Sequence, residues 1–225
     1  MNKYWREHWN SSEISQKKSL LAQVEHTYQG SPISSELWNK IVVYVLGKLN
    51  LHQSSIVLDL CSGNGLFSNP ISEIAEEVTA VDYSAQLLEK INSPKIKKIQ
   101  KDINDVSLPI LQYHTVILYA GIQYFDELEA LNIFEKVFQS LKIGGIFYVG
   151  DIPDRSLLWS FANTERYKFD YFKNLKAGTP AIGNWFLPND LVEMGRYCGF
   201  SHVEILPQPK EFPYSHFKFD MRLTK

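Results

Sequence analysis

Val57-Leu58-Asp59-Leu60-Cys61-Ser62-Gly63-Asn64-Gly65-Leu66-Phe67-Ser68 is the stretch from which the rest of the chain can be read. It opens as a short apolar run with a carboxylate near its end and breaks at two glycines. Apolar periodicity then resumes through Phe67, Ile71 and Ile74, which predicts strand, tight loop and helix. Gly63 and Gly65 allow backbone angles that other residues avoid and let a ligand approach the main chain. The following helix offers unpaired N–H groups to an anionic part of such a ligand. A second strand-like run, Val78-Thr79-Ala80-Val81-Asp82-Tyr83, also carries an acid near its end, Asp82, nineteen positions after Gly63. In a βαβ unit the ends of adjacent parallel strands share one edge, so Asp82 is expected beside the loop, accepting both hydroxyls of a ribose. Tyr83, next in the chain, is placed against the base. Loop and acid together describe a nucleoside-binding crevice.

A dinucleotide fold wants a third glycine where this chain has Ser68, and here an acid, Asp59, stands four residues before Gly63. With Asp59-x-x-x-Gly63-x-Gly65 the sequence resembles the class I S-adenosylmethionine-dependent methyltransferases, over residues 56–151. The resemblance implies an α/β fold with a seven-stranded, mostly parallel sheet of order 3-2-1-4-5-7-6, strand seven antiparallel, and helices on both faces. It implies S-adenosyl-L-methionine as cofactor, with Asp59, Ser62, Gly63, Asn64 and Gly65 forming its loop. It also implies that Asp102 binds the adenine amino group, that the Ile103 N–H faces a ring nitrogen, and that Tyr119 ends strand four at the site. An Asp/Asn-Pro-Pro-Tyr/Phe tetrapeptide, which marks family members acting on adenine amino groups or glutamine amides, is missing after Tyr119.

Composition bounds the alternatives. A chain of 225 residues suits one α/β domain with a substantial core. A net charge of −2, with acids and bases interspersed, leaves no basic footprint for nucleic acid. Cys61 and Cys198 are too few and too separated for a disulfide framework or a metal site and read as reduced thiols of a cytoplasmic protein. The polar N-terminus and the lack of any run of 18 apolar residues predict neither a signal peptide nor a membrane span.

Along the chain, residues 1–33 form an N-terminal segment whose Tyr4, Trp5, His8 and Trp9, followed by Gln23, His26, Thr27 and Tyr28, either pack on the domain or act as a flap over the site. Residues 34–225 make the methyltransferase domain. Ser34 is expected to cap a helix over 34–49 and Ser84 to cap another; a helix over 126–142 carries an apolar face that includes Leu128. Residues 153–186 form a long insertion, read as a lid or recognition loop. Its aromatics, with Arg155, Arg166, Lys168, Lys173 and Lys176, read either as a solvated helical subdomain or as a pocket for an anionic or phosphate-bearing small molecule.

The expected topology sets Asp151, leaving strand five, beside His216, entering antiparallel strand seven. A histidine oriented by a carboxylate is a competent general base. Tyr119, which is also counted among the cofactor-binding residues, Gln123 and Tyr124 are alternative candidates at the site, for binding rather than catalysis, and His114 lies at the opposite edge. The expected activity is methyl transfer to a small-molecule hydroxyl. Transfer to nitrogen, a binding module without turnover and an NAD-dependent oxidoreductase remain the alternatives.

Overall fold

The computed structural model describes residues 3–225. Its N-terminal part consists of α1 (Lys3–Trp9), α2 (Ser12–Ser15), α3 (Leu20–Gln23) and a small hairpin pairing Thr27–Tyr28 with Ser31–Pro32. Trp5 and Trp9 turn inward from α1 onto the core of the sheet. α4 (Ser35–Leu46) starts where expected, with the Ser34 hydroxyl accepting from Leu37 N–H at 3.1 Å.

The sheet follows: β1 (Ile56–Leu60), β2 (Glu77–Asp82), β3 (Ile96–Gln100), β4 (Tyr113–Tyr119), β5 (Leu141–Pro153), β6 (His202–Pro207) and β7 (Lys218–Thr224). The strands lie in the order β3-β2-β1-β4-β5-β7-β6, parallel except for β7, which is antiparallel to both neighbours. That is the expected 3-2-1-4-5-7-6 arrangement. Side chains alternate in period two. Leu58, Leu60, Val116, Leu118 and Val149 join one core, while Val57, Ile117 and Tyr148 join another. Both faces are therefore apolar and both must be covered.

The helices between strands do this. α5 (Ser68–Ser72) and α6 (Ala85–Leu88) are short; α7 (Glu127–Ser140) is long and opens with a capping box between Asp126 and Glu129. Ile133 and Phe134 of α7 cover the first core; Trp38, Ile41 and Val45 of α4 cover the second. Two local expectations fail. Leu128 stands exposed on α7, outside its buried stripe. Ser84 occupies the N-cap position of α6 but makes no cap bond; its hydroxyl is turned to the N-terminal segment, donating to the Trp9 carbonyl at 3.2 Å. A tertiary contact with the N-terminal segment has taken the group that local pattern assigned to the helix.

After β5 the insertion forms a single 3-10 turn (Arg155–Leu157), α8 (Leu158–Phe161) and α9 (Glu165–Ala177), the last with no buried residue. The insertion returns to the domain through Asn184, whose N–H donates to the Gln123 carbonyl at 2.7 Å and whose side chain donates to the Phe125 carbonyl at 2.8 Å. α10 (Pro188–Tyr197) then packs Leu191 into the core and leads to β6. Among the described residues no helix is long and apolar enough to cross a membrane.

Candidate active site

The carboxyl ends of β1, β4 and β5 meet at one edge, in register through Leu60, Leu118 and Val149. Just past each pairing the chain bends sharply: Cys61, Ala120 and Asp151 have φ of 55°, 51° and 64°. Left-handed non-glycine residues cost energy and persist where surrounding structure holds them, commonly at functional sites. Here they open a cavity of about 590 Å³ at the strand ends, a volume in the range of small-molecule sites.

One end of the cavity is the glycine loop. Gly63 N–H donates to Asp82 Oδ2 at 2.8 Å, and Ser84 N–H donates to Oδ1 at 2.9 Å, so the acid is held at the loop as the βαβ geometry demanded. Burial pushes Asp82 up to about 6, against the pull of the backbone N–H groups of Ser84, Gly63 and Tyr83. Gly65 adopts φ 82°, and a Cβ there would stand 2.7 Å from Ile91 Cγ1. Asp59 lies beneath the loop rather than in its mouth. It is 2% exposed, accepts from the Ser68 hydroxyl at 2.5 Å, and is pushed up to about 7, chiefly by burial and further by Asp82.

Asn64 faces the N-terminal segment, donating to the Leu20 carbonyl at 2.8 Å and to Gln23 Oε1 at 3.1 Å. Its own Oδ1 and the Ser62 hydroxyl are buried without a hydrogen-bond partner among the described residues. Acceptors left open beside two glycines and a carboxylate suit a ligand carrying an amino group and ribose hydroxyls. The residues present fit an adenosine-bearing cofactor.

The N-terminal segment roofs this end. Tyr83 O–H donates to the Trp5 carbonyl at 2.9 Å, and the Trp5 and Trp9 rings lie 4.7 and 5.7 Å from Tyr124. Asp102, expected at the adenine, is ion-paired to Arg6 of α1 at 2.7 Å, while Ile103, next to it, lines the cavity. Arg6 carries no sequence signal that would have paired it with Asp102.

The other end is polar at one spot and aromatic around it. Lys218 Nζ meets Asp151 Oδ2 at 2.6 Å, with both side chains 13% exposed. Asp220 pins this corner: it accepts from Asp151 N–H at 2.8 Å, Gln208 Nε2 at 2.8 Å and the Tyr148 hydroxyl at 2.5 Å. Tyr119 lines the cavity as expected. Phe161, Tyr214 and Phe217 form the wall, with Phe217 at 4.7 Å from Phe161 and 5.4 Å from Tyr214.

The expected His216–Asp151 dyad is not formed. A bulge between Val149 and Ile152 inserts one extra residue on β5, and β7 begins at Lys218, opposite Pro153. Lys218 and Asp220 are thereby turned toward Asp151, while His216 stays exposed and lies along a separate groove with Lys210 and Ser215. A one-residue bulge cannot be seen in the sequence of either strand. The insertion's cations also face away from the cavity. Arg166 and Lys168 pair with Asp170 and Glu165 along exposed α9, so the aromatic half of the pocket expectation is met by Phe161 and the cationic half is not. His114 sits at the far edge, where its ring accepts from Ile56 N–H at 2.9 Å. Among the described residues no group of three or more His, Cys, Asp or Glu could hold a metal ion.

Residues 57–145 match the family described as "Methyltransferase domain". Two curated relatives are each 25% identical: CymA of Salinispora arenicola, described as a probable nonribosomal peptide synthetase, over 69% of this chain, and chondramide synthase cmdD of Chondromyces crocatus, over 60%. The chain spans only 2% and 4% of their lengths. Among solved structures, an S-adenosylmethionine-dependent methyltransferase of Archaeoglobus fulgidus superposes with TM-score 0.65 at 14% identity, covering 90% of this chain and 98% of that one. A counterpart from Mesorhizobium loti gives 0.62 at 16%, covering 81% and 96%. Glycine loop, the acid at the second strand end and strand order agree with the family match: residues 57–145 match a methyltransferase domain, on the fold shared with the S-adenosylmethionine-dependent methyltransferases above.

Proposed function

We propose that this chain transfers the methyl group of S-adenosylmethionine to a hydroxyl of a small molecule. The observation that carries this reading is a single cavity running from the glycine loop and Asp82 to the Asp151–Lys218 corner, which supports a cofactor and an acceptor side by side. Bound S-adenosylmethionine supplies a methyl group already made electrophilic by its sulfonium. The chain must then bind, align and exclude water. Gly63, Gly65, Ser62, Asn64 and Asp82 are proposed to hold the nucleoside and amino acid parts, with Tyr83 and Ile103 along the base. Trp5 and Trp9, packed on Tyr124, roof the site as the described part of a lid drawn from the N-terminal segment, and Phe161 brings the insertion 153–186 to the acceptor. Asp151 and Lys218 offer an acceptor and a donor of hydrogen bonds at one point, which orients a hydroxyl. The free thiols of Cys61 and Cys198 support a cytoplasmic setting.

The relatedness to two synthetases, one of them described as a peptide synthetase, favours a second reading, transfer to nitrogen of a small molecule. A neutral amine needs positioning alone, so the cavity serves it without a proton acceptor.

Parallel calorimetric titrations with S-adenosylmethionine, S-adenosylhomocysteine and NAD test the cofactor site, followed by transfer of labelled methyl to hydroxyl and amino compounds. The first two ligands should bind and NAD should not, and Asp82→Ala should weaken S-adenosylhomocysteine by at least about tenfold, the loss of one charge-assisted hydrogen bond. Binding of NAD alone, or of nothing, would refute the reading. Tight binding with no transfer to any compound would make the chain a binding module.

A further inference from the structure

The segment that roofs the cavity also brings a histidine into it. His26 follows α3, and both its backbone groups are fixed: its N–H donates to the Leu21 carbonyl at 3.0 Å and its carbonyl accepts from Ile33 N–H at 3.0 Å. The ring stacks on Trp38 at 4.6 Å and lies 6.0 Å from the ring of Tyr119 at the end of β4. It lines the cavity with Asp151 and Lys218 and interacts electrostatically with both. Among the described residues nothing hydrogen-bonds to either ring nitrogen, so neither is committed to a protein partner. Burial pushes the ring down to about 4; Lys218 adds to the shift and Asp151 opposes it. At neutral pH the imidazole is therefore uncharged with a lone pair to accept a proton; burial also weakens it as a base, so the nearby Asp151 charge, which opposes the shift, has to stabilise the imidazolium that forms.

The surroundings point to a class of acceptor. Polar groups at this end include His26, Gln208, the Asp151–Lys218 pair and the hydroxyls of Tyr119 and Tyr214, and the wall around them is largely ring and apolar surface, with Phe161, Phe212, Pro213 and Phe217 among it. A planar ring with one hydroxyl buries its faces against these rings and keeps its polar group at the Asp151–Lys218 spot.

We propose that His26 is the proton acceptor for a phenolic hydroxyl held at the Asp151–Lys218 corner of this cavity. The proposal rests on the methyl-transfer reading above. The O–H bond breaks with its proton going to the imidazole and its electron pair to oxygen, which forms the new O–CH₃ bond. The CH₃–S bond breaks and its pair stays on sulfur. The imidazolium then returns its proton to water.

The test uses the full chain with phenol and 4-nitrophenol as probes and two variants. His26→Gln removes the base; His26→Phe removes it while keeping a ring on Trp38. Calorimetry should show S-adenosylhomocysteine binding unchanged in both variants, and phenol binding to the S-adenosylhomocysteine-loaded protein in the wild type. Phenol turnover should fall by about 100-fold or more in both, the usual contribution of a general base. Turnover of 4-nitrophenol, whose hydroxyl is already substantially ionised at neutral pH, should fall far less. Equal loss on both probes would indicate a structural role and overturn the proposal, as would undiminished phenol turnover in the variants. Failure of phenol to bind would overturn the acceptor class. Binding of both ligands without any wild-type turnover would overturn the methyl-transfer reading together with this one.

Discussion

Replacing Asp59 by Asn should stabilise the unliganded protein at alkaline pH and change little at acidic pH. The carboxyl is 2% exposed and its pKa is pushed up from 3.8 to about 7, first by burial and further by Asp82, with the Ser68 hydrogen bonds opposing. Between those two values the native state keeps a proton that the unfolded chain has released. Stability therefore falls as pH rises through this window. The rise of about 3 pH units, at 1.36 kcal/mol each, corresponds to about 4 kcal/mol lost between pH 4 and pH 8. Asn cannot ionise, and the Ser68 hydroxyl can turn to accept from its amide or donate to its oxygen. The difference in unfolding free energy between Asp59→Asn and wild type should thus grow by about 3–4 kcal/mol from pH 4 to pH 8. Urea denaturation of both proteins at several pH values measures it, and subtracting the two removes the parallel contribution of Asp220, which burial raises to about 6. Asp82 titrates together with Asp59, so part of the difference belongs to the pair. A difference that stays constant with pH, or one of opposite sign, would refute the burial argument.

Two further outcomes follow from the same geometry. Gly65→Ala places a Cβ at φ 82° and 2.7 Å from the buried Ile91 side chain, so left-handed strain plus overpacking should cost about 2–5 kcal/mol in a denaturant melt; a loss under about 0.5 kcal/mol would show that the loop can shift freely. Neutralising Arg166 and Lys168 together should leave S-adenosylhomocysteine affinity and acceptor KM unaltered, because both side chains project from α9 toward solvent and pair along the helix. A rise in KM would return the insertion's cations to the site.

How much of this site was legible depends on how far apart in the chain its partners lie. Gly63, Gly65 and Asp82 could be placed together because one βαβ unit links them and parallel pairing sets their edge. Asp151 could be placed at that edge too, as the end of β5. Its partner could not. The choice between His216 and Lys218 turned on a bulge at Gly150 and Asp151, and on Asp220 pulling the Asp151 N–H into a buried network with Tyr148 and Gln208. His26 stood in a polar N-terminal stretch with no periodicity to assign it a face. It lines the cavity where α3 ties itself to Asn64 and the His26 ring stacks on Trp38.

The sequence by itself determined the strands and the glycine loop, since alternation in strands, glycines at a strand end and an acid at the next strand end are local patterns with few structural solutions; the strand order came from the family resemblance that those motifs carry. Only the tertiary structure decided which side chains share the acceptor end, which cations reach it and which histidine lines it. Those outcomes depend on contacts between segments up to about two hundred residues apart, such as the Gln29 N–H on the Tyr214 hydroxyl at 3.1 Å. No pattern within either segment encodes the other.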